Sequence, residues 1–207
     1  MRIGICGGTF DPFHRGHLDP VLAVRDAMQW TRILYIPAFQ QPFKAGLEHV
    51  SGYHRFAMAV LATEALDAIH VSPLELERGA ISYTVDTLEE LRMMYPAATL
   101  DWIIGDDNLA KLTEWRALDR ILELANFAVL TRLATHPAVP AALAHRVIQP
   151  DQRKQAGSIV FARNATVPVS STEIRGKIRA GEPVGQLVDG RVSRYIHHYG
   201  LYKEGLT

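Results

Sequence analysis

Short apolar runs and helical patterns alternate along almost the whole chain, and this limits its fold more tightly than any other property. Ile3–Cys6 reads as a buried strand, and "HLDPVLAVRDAMQ" (17–29) as a helix offering Leu18, Val21, Leu22 and Val24 to a core. "RILYIPA" (32–38) is a second strand ended by Pro37, residues 51–66 form a helix with Ser51 at its N-cap, and 68–72 form a third strand. A helix from about Thr84 to Met94 stops at Tyr95-Pro96. Strand four covers 99–105, a helix 117–125, strand five 127–131 and strand six 158–162. The Ala-, Pro- and His-rich stretch from Arg132 to Gly157 reads as a connection with one short helix near Ala141–Arg146. After residue 170 only helical patterns remain. Strand–helix alternation of this kind predicts an α/β fold, a parallel sheet with helices on both faces joined by right-handed crossovers. In such sheets ligands sit beyond the carboxyl ends of the strands, where strand order reverses.

At 207 residues the chain is within reach of one domain, spanning 1–207, and its 48% hydrophobic content suffices for a core. The 22 basic and 22 acidic side chains balance, so no broad attraction to nucleic acid or to an anionic membrane is implied, and neither is expected as a partner. An anionic ligand must then be held by local arrangement. Cys6 is the one cysteine, which excludes an internal disulfide and fits a reducing compartment; in an apolar strand it reads as a small core residue. No apolar run approaches the ~18 residues that span a bilayer, and the expected location is the cytoplasm.

The segment "RIGICGGTFDPFHRGH" (2–17) carries the first chemistry. Gly7 and Gly8 after a strand let backbone approach a ligand and expose N–H groups, as phosphate sites require. The next helix begins near Gly16-His17, so its amides and dipole point at the same anion. Neither the P-loop pattern nor Gly-x-Gly-x-x-Gly is present. His14 and His17 fall just before and inside the first helical turn, where two imidazoles could donate to phosphoryl oxygens as charge builds. The alternatives are a solvent-facing pair and a zinc site, and no cysteines or further spaced ligands follow to complete the latter; no protein-held metal is expected.

"GGTFDPFHRGH" resembles the opening motif of the nucleotidyltransferase superfamily that carries His-x-Gly-His, and in particular its nicotinate mononucleotide adenylyltransferase branch. The resemblance implies a Rossmann-like core, taken here as 1–165, with a small helical C-terminal part over 166–207. It assigns phosphate contacts to Gly7, Gly8, Thr9 and Phe10, and catalysis to His14 and His17. "VSSTEIRGKIR" (169–179) is legible by itself as an anion-binding helix start, with Ser170, Ser171 and Thr172 at its end and Arg175 one turn on. It is similar to the family's Ile-Ser-Ser-Thr-x-Ile-Arg, whose Ser, Thr and Arg hold ATP phosphates.

"IIGDDNLAKLTEW" (103–115) resembles Ile-Gly-x-Asp-x-Leu…Trp, which places Gly105 and Asp107 at the nucleoside of ATP and Trp115 at the mononucleotide; Asp106 falls on a variable position and receives no role. "ISYTVDTLEEL" (81–91) matches Ser-Tyr-Thr-x-Asp-Thr-Leu, which implies that backbone around Thr84, with the Trp115 ring, receives the pyridine and its carboxylate. "PAFQQPFKAG" (37–46) contributes Lys44 to the phosphates but has Phe43 where the family usually has histidine. "LVDGRVSRYIHHYGLY" (187–202) matches the C-terminal pattern with Asp189 in place of proline, and its Val192, Tyr195 and Ile196 read as packing residues.

The activity implied is transfer of AMP from ATP to nicotinate mononucleotide by in-line attack, without a covalent intermediate. Mg²⁺ would arrive on the ATP phosphates rather than in a protein cage. Three rivals stay open. One is a sibling transferase preferring nicotinamide mononucleotide, phosphopantetheine or glycerol phosphate, and another a relative of class I aminoacyl-tRNA synthetases. The third is a nucleotide-binding module without turnover. A homo-oligomer is compatible with the sequence, and acid against amide specificity rests on the resemblance.

Overall fold

The computed structural model describes residues 1–42, 49–131, 138–152 and 155–203. Six strands form one sheet: β1 (Arg2–Gly8), β2 (Arg32–Pro37), β3 (Ile69–Val71), β4 (Thr99–Gly105), β5 (Asn126–Leu130) and β6 (Ile159–Ala162). Every pairing is parallel, and the order across the sheet is β3-β2-β1-β4-β5-β6. The chain builds outward from β1 to one edge, then returns to β4 and builds to the other. The reversal lies between β1 and β4, where Arg2 pairs Thr99 and Ile5 pairs Trp102. A crevice beyond the carboxyl ends of these two strands follows from that topology.

The two-residue period of the strands divides the core. Ile3 and Ile5 of β1, Leu34 and Ile36 of β2, Leu100 and Trp102 of β4 and Phe127 of β5 pack on one face. Cys6, Ile33, Tyr35, Ile103 and Ala128 pack on the other. Apolar residues on both faces are what a parallel sheet covered on both sides requires. Cys6 is buried.

Among the described residues seven α-helices surround the sheet: α1 (Arg15–Val24), α2 (Gly52–Thr63), α3 (Leu74–Arg78), α4 (Thr84–Met94), α5 (Leu118–Leu124), α6 (Ser171–Arg179) and α7 (Gly190–His198). Three of them differ from the sequence expectation, one being α2, which ends at Thr63 rather than residue 66. The first helix ends at Val24 rather than running to residue 29, the chain then turning until Gln29 adopts a left-handed φ of 53°. The five-residue α3 was not expected; it is short and charged, and Gly79 stops it at φ 65°. Residues Asp106–Glu114 and Ala141–Arg146 form 3₁₀ rather than α turns. Ile174, Val184, Val188, Val192 and Ile196, from α6, α7 and the segment between them, are buried in the same core as Cys6 and Tyr35. No helix among the described residues is long and apolar enough to cross a membrane.

Candidate active site

The site starts where β1 runs out. A Cβ on Gly7 would lie 2.7 Å from the Trp102 ring, so this glycine is demanded by packing across the β1–β4 crevice as well as by any ligand. The chain then turns through Phe10, held at φ 53°, a region that a bulky residue enters only when its surroundings impose it. The Asp11–Pro12 peptide is cis, and α1 begins at Arg15 with His14 as its extended N-cap.

His17 is the third residue of α1. Its Nδ1 accepts from the His14 backbone N–H at 3.3 Å, which leaves the ring proton on Nε2. The Tyr35 hydroxyl, from β2, donates to the His17 carbonyl at 2.9 Å. Burial raises the Tyr35 pKa well above its ordinary value, aided by Cys6, so this donor stays protonated. The imidazoles of His14 and His17 stack with centroids 3.7 Å apart and planes 24° apart. Phe10 meets His17 edge-on at 4.9 Å and Phe13 lies at 5.5 Å. His14 is buried and His17 half-buried, so the pair is open on one side.

The start of α6 leans on this loop. Ser170 caps the helix by accepting from the Glu173 N–H at 3.2 Å, and Ser171 donates to the Pro12 carbonyl at 3.2 Å. Arg175 donates to the Asp11 carbonyl at 2.6 Å and to the Thr172 hydroxyl at 3.3 Å. The Ser-Ser-Thr…Arg segment therefore joins the two candidate phosphate sites to each other, a role that the sequence did not disclose. Behind it, the buried Asp11 carboxylate accepts from the Tyr202 hydroxyl at 2.6 Å and lies 3.0 Å from His49 Nδ1. Burial, then the Asp11 charge, pushes the Tyr202 pKa far up, so the hydroxyl remains a donor.

A second lobe opens beside Gly105. Thr84 is the first residue of α4, after Tyr83 at the N-cap. Trp115 is half-buried with its ring edge-on to Phe127 at 5.7 Å, and the Arg116 guanidinium sits 4.5 Å over the Tyr83 ring. Glu75, buried under this turn, accepts from Thr87 at 2.6 Å, and its desolvation raises its pKa despite the Thr87 and Ser82 hydrogen bonds. Asp106 is fully buried, whereas Asp107 is exposed and accepts from the Asn108 side chain at 3.2 Å.

One cavity of about 1080 Å³ joins the two lobes. Gly7, Gly8, Thr9, Phe10, His14, His17, Thr84, Gly105, Asp107, Trp115, Ser170, Ser171, Thr172 and Arg175 all line it. Thr9 Oγ1 is buried in its wall with no hydrogen-bond partner among the described residues. Lys44 and its neighbour Phe43 lie outside the described residues. Asp189 replaces the family's proline with a side-chain cap, accepting from the Arg191 N–H at 2.8 Å and from Arg191 Nε at 2.9 Å. Among the described residues no group of three or more His, Cys, Asp or Glu is placed to hold a metal ion. Sequence reasoning passed over Tyr35, His49, Arg55, Glu75 and Tyr202. Tyr83 and Asp11 stood inside quoted motifs but received no role there; Arg55 carried no local signal.

A model of the cytidylyltransferase-like family matches residues 5–177. The chain is 37% identical over 205 residues to a probable nicotinate-nucleotide adenylyltransferase of Gemmatimonas aurantiaca, covering 99% of this chain and 93% of that one. It is 38% identical over 203 residues to the protein of the same description from Herpetosiphon aurantiacus, covering 98% of each. Its fold superposes on Plasmodium falciparum nicotinic acid mononucleotide adenylyltransferase complexed with NaAD, with a TM-score of 0.70 over 97% of both chains at 18% identity.

Proposed function

The chain belongs to the nicotinate-nucleotide adenylyltransferase family within the cytidylyltransferase-like proteins, and on that premise we propose that it transfers AMP from ATP to nicotinate mononucleotide, a step of NAD biosynthesis. A 5′-phosphate oxygen of the mononucleotide forms a bond to the α-phosphorus of ATP as the bond to the bridging α–β oxygen breaks. Nicotinate adenine dinucleotide and pyrophosphate are the products. The attacking oxygen is already anionic, so no general base is needed, and catalysis consists of positioning and charge stabilisation.

The observation that carries this reading is the stacked imidazole pair, 3.7 Å apart at the start of α1, in a cavity shared with Thr84 and Trp115. His17 Nε2–H and His14 serve the developing charge on the α-phosphoryl group. The Gly7–Phe10 backbone, the Thr9 hydroxyl, Ser171, Thr172, Arg175 and Lys44 serve the β and γ phosphates. Gly105 and Asp107 border the adenosine, while Trp115 offers a flat face to the pyridine ring and the first amides of α4 take its carboxylate. The phosphate lobe offers amides, hydroxyls, imidazoles and a guanidinium, with the Asp11 carboxylate engaged by Tyr202 and no carboxylate cage among the described residues, which suits Mg²⁺ carried in by the nucleotide.

The test supplies ATP–Mg²⁺ with nicotinate mononucleotide, its amide analogue or phosphopantetheine in parallel and compares rates. Fastest turnover with the acid is expected. Faster turnover with either rival replaces the substrate assignment, and pyrophosphate release that does not depend on any acceptor removes the transferase reading.

A further inference from the structure

Arg55, the fourth residue of α2, is a buried cation that the reaction as described leaves unused. The residue is only 2% exposed and makes no direct ion pair among the described residues; its guanidinium is solvated by backbone carbonyls from separate loops. One terminal nitrogen donates to the Thr9 carbonyl at 2.6 Å, Nε donates to the Val50 carbonyl at 3.0 Å, and the other terminal nitrogen reaches the Phe39 carbonyl at 3.5 Å. Burying an arginine is costly unless its donors are met, so this placement needs a reason beyond packing. The three acceptors supply one. Thr9 belongs to the phosphate loop, and Phe39 and Val50 lie near the two ends of the connection between β2 and α2.

The Thr9 bond has a directional consequence. In a planar trans peptide the carbonyl and the following N–H point opposite ways. Holding the Thr9 carbonyl toward Arg55 turns the Phe10 N–H away from it; Thr9 and Phe10 line the cavity and Arg55 does not. Phe10, on the other side of this peptide, is held at a left-handed φ of 53°. We infer that Arg55 is a positioning residue for adenylyl transfer, fixing the Thr9–Phe10 peptide so that the Phe10 N–H meets the ATP phosphates. The inference rests on the reading above that the phosphate lobe takes ATP.

Two measurements test it. Arg55→Lys keeps the charge but lacks the planar fork that spans three carbonyls. It should weaken binding of inorganic triphosphate by about tenfold and lower kcat/KM for ATP by about 100-fold, the scale of a misplaced binding group. KM for nicotinate mononucleotide should stay within about threefold, since uniform collapse of the site would raise both constants. In the unaltered protein, the Phe10 amide resonance should shift when inorganic triphosphate is added, whatever the stability of the variant. Unchanged triphosphate affinity in a folded Arg55→Lys protein, equal losses toward both substrates, or an unmoved Phe10 amide each overturns the inference. Triphosphate binding does not involve the mononucleotide. A wild-type protein that makes no dinucleotide but shows these triphosphate effects loses the proposed function and keeps the role of Arg55.

Discussion

His17 shows how backbone geometry selects a chemical state. Because its Nδ1 is engaged by the amide of the N-cap residue, the ring can present only Nε2–H to a ligand without breaking the first turn of α1. Tyr35 and Phe10 hold the residue from the carbonyl and ring sides. His17→Ala should therefore lower kcat by about 10³-fold, the loss expected when a donor to developing charge is removed. Nucleotide affinity by calorimetry should change by less than about fivefold, because ground-state binding rests on the other phosphate contacts. Equal losses in both would assign His17 to binding alone. Trp115 belongs to the same scale. Trp115→Ala should raise KM for the mononucleotide about tenfold, by loss of stacking area, and leave KM for ATP nearly unchanged. A matching rise for ATP would place the pyridine elsewhere.

Elements are held in place by polar contacts at their ends. The Asp101 carboxylate on β4 is fully buried, accepting from the Trp30 indole at 2.8 Å and the Asn126 amide at 3.0 Å, with Arg2 at 3.8 Å. Asp101→Ala leaves those donors without their acceptor and should lower unfolding free energy by about 2–4 kcal/mol in denaturant titration. Substrate KM values should be unaffected, because the network lies at the opposite end of β4 from Gly105. At α7 the cap is Asp189, whose pKa is lowered, first by its hydrogen bond to the Arg191 side chain and against the opposing effect of burial. A depressed carboxylate pKa means that its contribution is complete above the ordinary aspartate range and is lost as pH falls through the lower, folded value. Asp189→Ala should cost about 1 kcal/mol at neutral pH. The difference from wild type should vanish in acid, and thermal melts at several pH values measure it.

At the scale of the whole molecule, function follows from the reversal of strand order at β1 and β4. Gly7–His17, Thr84, Gly105–Trp115 and Ser170–Arg175 are far apart in the chain and meet in one cavity beyond the same strand ends. Most of the site was readable beforehand because each piece is a local signal. A glycine turn after an apolar run, a hydroxyl cluster at a helix start and a strand-ending Ile-Ile-Gly are set by neighbours in sequence. The six strands were readable for the same reason, since their apolar runs are dictated by burial on both faces. Element ends were not, as at α1, where chain turns after Val24 compete with a continuing helical pattern.

The sequence by itself determined the succession of the six strands and of every helix but α3, most of the residues that gather around the cavity, and the family whose motifs they carry. Only the tertiary structure decided how those residues are aimed. Arg55 reaches Thr9 across 46 residues and Tyr202 reaches Asp11 across 191, and no pattern in the intervening sequence encodes either bond. The physical reason is range. Backbone preference and hydrophobic period act over a few residues, whereas the direction of a buried amide or carboxylate is set by donors that arrive only when the chain has closed around them.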